Sequence, residues 1–203
     1  MNVQYSGMEF FKRFLRETSR MRLSKHCRDL EMKDEDWSES LRADGSINDY
    51  ISSIMLWGGP GRVMLKAHFD LETASVWAAH GLQMSESAVE DSVSIDFFRE
   101  FCNLHAGFLR GVLEANGLLF GISLPFIMAG DSEGMFQELQ GNSVETCAWR
   151  LVEGNHAVIC TAEIEIIDPK AIELVQPSLE SRLMEEDMKK ASGADDGNVE
   201  FLF

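Results

Sequence analysis

Four polar or small residues between 95 and 107 have a spacing that could act on a partner molecule. They follow one another at intervals of three or four: Asp96, Glu100, Asn103 and Gly107. At roughly 100° per residue, these intervals return side chains to one face of a helix. We call this set the polar row. A carboxylate and a carboxamide one turn apart, held rigidly and facing outward, suit work on a partner's surface rather than in an enclosed pocket.

The opposite arc of the same helix is apolar and is predicted to be buried. Its members are Phe97, Phe98, Phe101, Leu104, Phe108, Leu109 and Val112. Cys102 falls on the apolar side too. We expect Ser94 to cap this helix and Asn116-Gly117 to end it.

The solvent side also carries Arg99, Arg110, Gly111 and Glu114. Each exposed glycine costs a helix about 1 kcal/mol relative to alanine. Either a partner approaches Gly107 and Gly111 closely, or one or both pack against a neighbouring element, and the sequence leaves both explanations open. Arg99 and Arg110 flank the row as a local basic patch.

Composition limits the classes of function. The 203 residues suit one domain with appendages, and a hydrophobic content of 45% is globular. A net charge of −16 argues against nucleic acid and anionic membranes. The sequence has no run of eighteen apolar residues and no secretory signal pattern, so the cytoplasm is the expected location.

No spacing typical of a metal site is present. The four cysteines are far apart in the sequence: Cys27, Cys102, Cys147 and Cys160. In a cytosolic chain they are expected to be reduced and to pack in the core. The histidines lack ligand spacing as well, so we predict no metal site.

The remaining pattern predicts at least three helices and five or six strands. Residues 51–57 and 62–69 form a hairpin across the turn 58–61, and 118–128, 145–152 and 156–167 supply further strands, with Pro125 confined to an edge or an end. Alternation over 62–69 indicates a strand buried on one face only. The fold class is α/β of the α+β type.

Local signals predict the helix boundaries and the connections. Ser6 and Glu9 form a capping box, and Asp70 caps a helix over 73–80 that Gly81 ends. The stretch 33–49 is a loop, and 85–91 an acidic linker. Residues 171–190 are helical in part, with a break or a start at Pro177.

The last residues have a different character. Residues 191–200 are polar and predicted to be disordered, whereas Phe201-Leu202-Phe203 is apolar. This ending either packs on its own domain or on a dimer mate, or serves as a docking peptide for another protein.

A glutamate and an asparagine three residues apart are common on solvated helices, and the surrounding sequence is what distinguishes this pair. The span from Ile51 to Ile167 resembles the CheC/CheX family of chemotaxis phosphatases, and is closest to the single-site CheX type. Family signatures recur in order: Asp96, Glu100 and Asn103 are in register, Ala106-Gly107 is similar to the family's Ala-Gly pair, and Pro125 follows Asn103 by 22 residues. GPGRVMLKAHF and GISLPFIMAG are also similar to family segments. Phe108 departs from the pattern, since members often have a polar residue there, and His105 lies on the apolar side.

The resemblance implies a fold, a reaction and residue roles. The fold is one of long helices on an extended, largely antiparallel sheet, and the chain is expected to form a homodimer. The reaction is hydrolysis of the aspartyl phosphate of a CheY-like response regulator, as in two-component signalling. Asn103 would position the attacking water, and Glu100 would pair with the receiver's active-site lysine.

Docking roles follow for Asp96, Arg99, Gly107 and Arg110, although Asp96 also suits the dipole of the helix N-terminus. The protein needs no cofactor of its own, because the magnesium ion is expected in the receiver. The predicted domains are an N-terminal helix with an acidic connection (1–50), the phosphatase domain (51–168) and an acidic extension (169–203). The alternative is a receiver-binding adaptor without catalysis. The sequence identifies neither the target receiver nor the pathway.

Overall fold

Four helices and seven strands make up the described part of the chain, which covers residues 7–24, 31–35, 49–130 and 144–192 in a computed structural model. The helices are α1 (Gly7–Leu23), α2 (Leu71–Leu82), α3 (Asp91–Ala115) and α4 (Pro169–Ser192). The strands are β1 (Glu31–Glu35), β2 (Tyr50–Gly58), β3 (Gly61–Phe69), β4 (Phe120–Ile122), β5 (Phe126–Ala129), β6 (Val144–Glu153) and β7 (His156–Ile166).

All seven strands belong to one antiparallel sheet. Its order is β1-β6-β7-β3-β2-β4, and β5 also pairs with β2. The strands β2 and β3 form the predicted hairpin, with Gly58 opposite Gly61. A Cβ atom on Gly61 would collide with the carbonyl oxygen of Glu165, so the hairpin end needs a glycine there. The α+β class with a largely antiparallel sheet is confirmed.

The helices pack on the sheet face that carries alternate residues of each long strand. On β3 these are Val63, Leu65, Ala67 and Phe69. Helix α1 lies over β6, where the Nε1 atom of Trp149 donates to the Oγ atom of Ser19 at 2.7 Å. Helix α4 packs against α1 and the end of α3, and the Oγ atom of Ser178 donates to the Oδ1 atom of Asn116 at 2.6 Å.

The structure corrects the prediction that β3 is buried on one face only. Lys66 and His68 point away from the helices, yet they are only 7% and 2% exposed. The Nζ atom of Lys66 lies 2.9 Å from the Oε1 atom of Glu163, and His68 lies 3.3 Å from the hydroxyl of Thr161. Polar side chains can occupy this second buried face because they pair across neighbouring strands.

Three predicted helix boundaries were wrong. Helix α2 runs through Gly81 and ends at Leu82, and the C-cap residue Gln83 adopts the left-handed conformation (φ 55°). Helix α3 begins at Asp91, so Ser94 lies inside it, buried and 2.9 Å from the hydroxyl of Ser75. Helix α4 continues through Pro177 because packing outweighs the lost backbone bond. The residues on both sides of that proline, Val175 and Leu179, are fully buried.

Two other predictions on connections have different outcomes. The predicted loop 33–49 contains the end of β1, which pairs with β6, so that part of the prediction was wrong. The stretch 118–128 holds two short strands, β4 and β5, and Pro125 lies just before the first residue of β5, which confirms its predicted position at a strand end. The predictions for Ser6, Cys27 and 193–203 lie outside the described residues. None of the described helices has the length and apolar content that a membrane span requires.

We expect the two buried histidines to make stability fall in acid. Burial lowers the pKa of His68 and of His105 to about 3, whereas an unfolded histidine has a pKa of about 6.5. Between these values the unfolded chain binds more protons, so stability is complete above about pH 6.5 and is lost as the pH falls towards 3. The slope is about 1.4 kcal/mol per pH unit for each histidine.

The measurement is urea unfolding at several pH values for the wild type and His105→Gln. The variant is expected to lose about half of the slope that the two histidines contribute between pH 6 and 4. An identical pH dependence in both proteins would contradict the prediction.

Candidate functional site

Burial of one side of α3 determines where the polar row lies. The predicted apolar arc is buried at Phe97, Phe98, Phe101, Leu109 and Val112, while Leu104 and Phe108 are half-buried. The ring of Phe98 stacks on that of Phe69 from β3, with centroids 4.3 Å apart. The thiol of Cys102 lies 3.7 Å from the carbonyl oxygen of Ser52 on β2. These contacts set the rotation of the helix about its axis.

Contacts with α1 set the other side of the helix. His105 lies 3.0 Å from the hydroxyl of Thr18. Phe108 stacks on Phe14 with centroids 6.2 Å apart, and the Arg22 guanidinium lies 4.7 Å from the centre of the Phe108 ring. Both departures from the family pattern, at His105 and Phe108, therefore belong to the packing between α1 and α3.

The polar row lies on the arc of α3 that faces away from α1. Asp96, Glu100 and Asn103 are partly exposed, and Gly107 is exposed. Asn103 is thus not enclosed in the apolar interior, and a second protein can reach it. The helical spacing predicted this arrangement.

Glu100 and Asn103 are hydrogen-bonded to each other. The Nδ2 atom of Asn103 donates to the Oε2 atom of Glu100 at 3.2 Å. The contact holds a carboxylate and a carboxamide side by side on the outer face of a rigid helix. The oxygen atoms of such a pair can accept hydrogen bonds from a cationic side chain or from a water molecule at the surface of a partner.

The arginines beside the row are already paired within the helix. The Nη2 atom of Arg99 lies 3.0 Å from the Oδ1 atom of Asp96. The Nε atom of Arg110 lies 2.8 Å from the Oε1 atom of Glu114. Both pairs are substantially exposed, so each contributes little to stability. Because Asp96 and Glu114 balance the charges of Arg99 and Arg110, the two arginines do not form the basic patch that the sequence suggested.

Gly107 of the polar row and Gly111, one turn further along α3, lack close neighbours among the described residues. No heavy atom of that part of the chain lies within 4 Å of a Cβ atom built on either glycine. Contact with a described element therefore does not require a glycine at these two positions.

Thiol chemistry does not suit this site. Burial raises the pKa of Cys102 to about 12 and that of Cys147 to about 11, so both remain protonated near neutral pH. The described cysteines are free and buried, as predicted. Within the described ranges, no group of three or more His, Cys, Asp or Glu side chains could hold a metal ion.

Several contacts that support the site could not be predicted from residue spacing. Ser94 acts as a link to α2 rather than as a cap, and the carbonyl of Ser52 contacts Cys102. The stack of Phe14 on Phe108 joins residues far apart in the chain. The spacing of apolar residues on α1 and α3 indicated that Phe14 and Phe108 are on the buried faces of their helices, but not that they contact each other.

Solved structures similar to this chain include CheX chemotaxis proteins and FliY. A CheX from Vibrio vulnificus aligns with 16% identity and a TM-score of 0.57, over 77% of this chain and 99% of its own. The CheX–CheY–BeF3–Mg complex from Borrelia burgdorferi aligns with 18% identity and a TM-score of 0.56, over 77% and 97%. FliY from Thermotoga maritima aligns with 14% identity and a TM-score of 0.53, over 88% and 100%.

No protein-family profile and no curated protein sequence matches this chain. The solved structures described above show that the chain has the CheC-like fold. They confirm, for the fold, the resemblance found in the sequence. At these identities the fold does not by itself establish a reaction, because one fold can carry several functions.

Replacing Gly107 or Gly111 by alanine is expected to stabilise the protein. Gly107→Ala and Gly111→Ala each add a methyl group in open space and remove the helix cost of glycine, so each raises the free energy of unfolding by about 1 kcal/mol. Urea unfolding measures this. The matched control is Gly121→Ala, where the new Cβ atom would lie 2.9 Å from the Trp57 ring and stability is expected to fall. Destabilisation by Gly107→Ala would show that the space is occupied.

Proposed function

We propose that this protein is a phosphatase that removes the phosphoryl group from the aspartyl phosphate of a CheY-like receiver. The observation that carries the proposal is the hydrogen-bonded pair of Glu100 and Asn103 on the open face of α3. Support comes from the fold, since one structure with the same fold is a CheX in complex with CheY, BeF3 and Mg.

Asn103 is the proposed catalytic residue. Catalysis of phosphoryl transfer consists mostly of positioning and electrostatic stabilisation. A carboxamide can hydrogen-bond the attacking water without adding negative charge beside the phosphoryl oxygens. A carboxylate at the same place would repel those oxygens.

Glu100 is the proposed docking residue for the active-site lysine of the receiver. Because both groups leave bulk water when the proteins dock, a hydrogen bond between two charged groups becomes stronger than it is on a free surface. Arg99, Arg110 and Asp96 would lie at the rim of this contact. The open surface at Gly107 and Gly111 would admit receiver backbone close to α3.

The other parts of the proposal follow from the same roles. The magnesium ion belongs to the receiver, and the phosphatase supplies no cofactor. With one polar row per chain, a homodimer would have two sites. Sedimentation equilibrium would measure the mass of the assembly and so test for the dimer. The protein would act in the cytoplasm, where it meets its receiver.

Removing the amide is expected to abolish the reaction and leave binding largely intact. Receivers from the same cell are loaded with acetyl phosphate, and phosphate loss is followed over time. Asn103→Ala should lower the acceleration by about 100-fold or more, because the water is no longer held in line. Glu100→Ala should weaken both binding and turnover.

The matched control is Gln176→Ala, which removes another amide that hydrogen-bonds a glutamate, Glu180. This variant is expected to retain full activity. If the wild type binds a phosphorylated receiver tightly but never speeds its decay, the adaptor function replaces the phosphatase.

The glycine variants are expected to separate stability from binding. Gly107→Ala and Gly111→Ala are expected to stabilise the fold, but their methyl groups would obstruct the receiver backbone. Affinity for the receiver should fall about tenfold for each 1.4 kcal/mol of binding free energy that is lost. Calorimetric titration with the receiver measures this. Unchanged affinity in both variants would place the receiver elsewhere on the surface.

A further inference from the structure

The hydrogen bond from Asn103 to Glu100 restricts the orientation of the carboxamide. We propose that Glu100 selects which end of the Asn103 amide faces the partner, so that Glu100 is a positioning residue as well as a docking residue. The inference rests on the proposed function. It adds a role that docking alone does not require.

The chemistry of the pair allows only one orientation. A carboxamide has an acceptor end, Oδ1, and a donor end, Nδ2, whereas an ionised carboxylate only accepts. The Nδ2 atom therefore turns towards Glu100, at 3.2 Å. The reverse orientation would bring two oxygen atoms with lone pairs into contact, so Oδ1 is left for the partner.

This orientation determines how a bound water is prepared for attack. Oδ1 accepts a hydrogen bond from the water and leaves both lone pairs of the water oxygen free, whereas an NH2 group would donate to one of them and make the oxygen less nucleophilic. In the reaction, the water oxygen forms a bond to phosphorus while the bond from phosphorus to the receiver's carboxylate oxygen breaks. The electron pair returns to that carboxylate, and the surplus proton passes to the phosphate product or to solvent.

The two roles of Glu100 are compatible because they use different oxygen atoms. Asn103 occupies Oε2, and Oε1 remains for the lysine of the receiver. The charged neighbours on α3 are engaged in their own pairs, Asp96 with Arg99 and Glu114 with Arg110. Of the charged side chains described along the row, Glu100 is thus the one bonded to the amide.

The first test separates turnover from binding. In Glu100→Ala, kcat at saturating phosphorylated receiver is expected to fall by about tenfold because the amide is free to turn, and KM rises from lost docking. The matched control is Glu180→Ala, which frees the amide of Gln176 from a 2.9 Å bond of the same kind on α4. It is expected to leave both constants unchanged.

The second test observes the amide without any reaction. In ¹⁵N-labelled wild type at neutral pH, the side-chain NH2 protons of Asn103, identified by their loss in Asn103→Ala, should exchange with solvent more slowly than in Glu100→Ala, where the hydrogen bond is missing. The Gln176 NH2 protons should exchange equally in both proteins, because Glu180 is intact in each. Both results together support the inference.

Two results would overturn the inference and leave the proposed function standing. One is an unchanged kcat in Glu100→Ala with a raised KM, since Glu100 then only docks. The other is an equal rate of hydrogen exchange for the Asn103 NH2 protons in the wild type and in Glu100→Ala. Failure of the wild type to accelerate the decay of any receiver would instead overturn the proposed function, and the inference with it.

Discussion

One-sided burial of α3 is the constraint on which the rest of the site depends. The helix is held by β2 and β3 on its underside, through Cys102 and Phe98, and by α1 on its flank, through Phe108. Apolar groups on two sides of a rigid rod leave it no freedom to rotate, because turning it would expose several aromatic rings to water. The outward direction of Glu100 and Asn103 follows from the burial of the residues between them.

Helix packing explains how side chains on the surface of α3 are held in a defined position. Functional groups on helices are placed more accurately than groups on loops, and their neighbours restrict their rotamers. Here the exposed arc adds its own restraint, the bond between Asn103 and Glu100. Gly107 and Gly111 add no side chain to this surface, at a cost in helix stability of about 1 kcal/mol each that no contact among the described residues requires.

Much of this organisation was predictable from local patterns. The structure confirms the buried and exposed arcs of α3, the glycine-bounded hairpin of β2 and β3, the aspartate cap of α2 and the position of Pro125 at a strand end. Predictions failed where distant residues decided the outcome. Ser94 is a residue type that often caps helices, but its hydroxyl is hydrogen-bonded to that of Ser75 on α2. Pro177 is a residue type that breaks helices, but it lies between the buried residues Val175 and Leu179, which hold both halves of α4 in place.

By itself, the sequence determined which face of the central helix is polar, because helical periodicity is a local property that needs no knowledge of neighbours. It also determined that Glu100, Asn103 and Gly107 share that face. Only the tertiary structure decided that no described residue packs against Gly107 or Gly111, that Arg99 and Arg110 form ion pairs within α3, and that His105 and Phe108 pack on α1. These outcomes depend on which elements meet in space and which rotamers their contacts allow, and residue spacing along one helix contains neither.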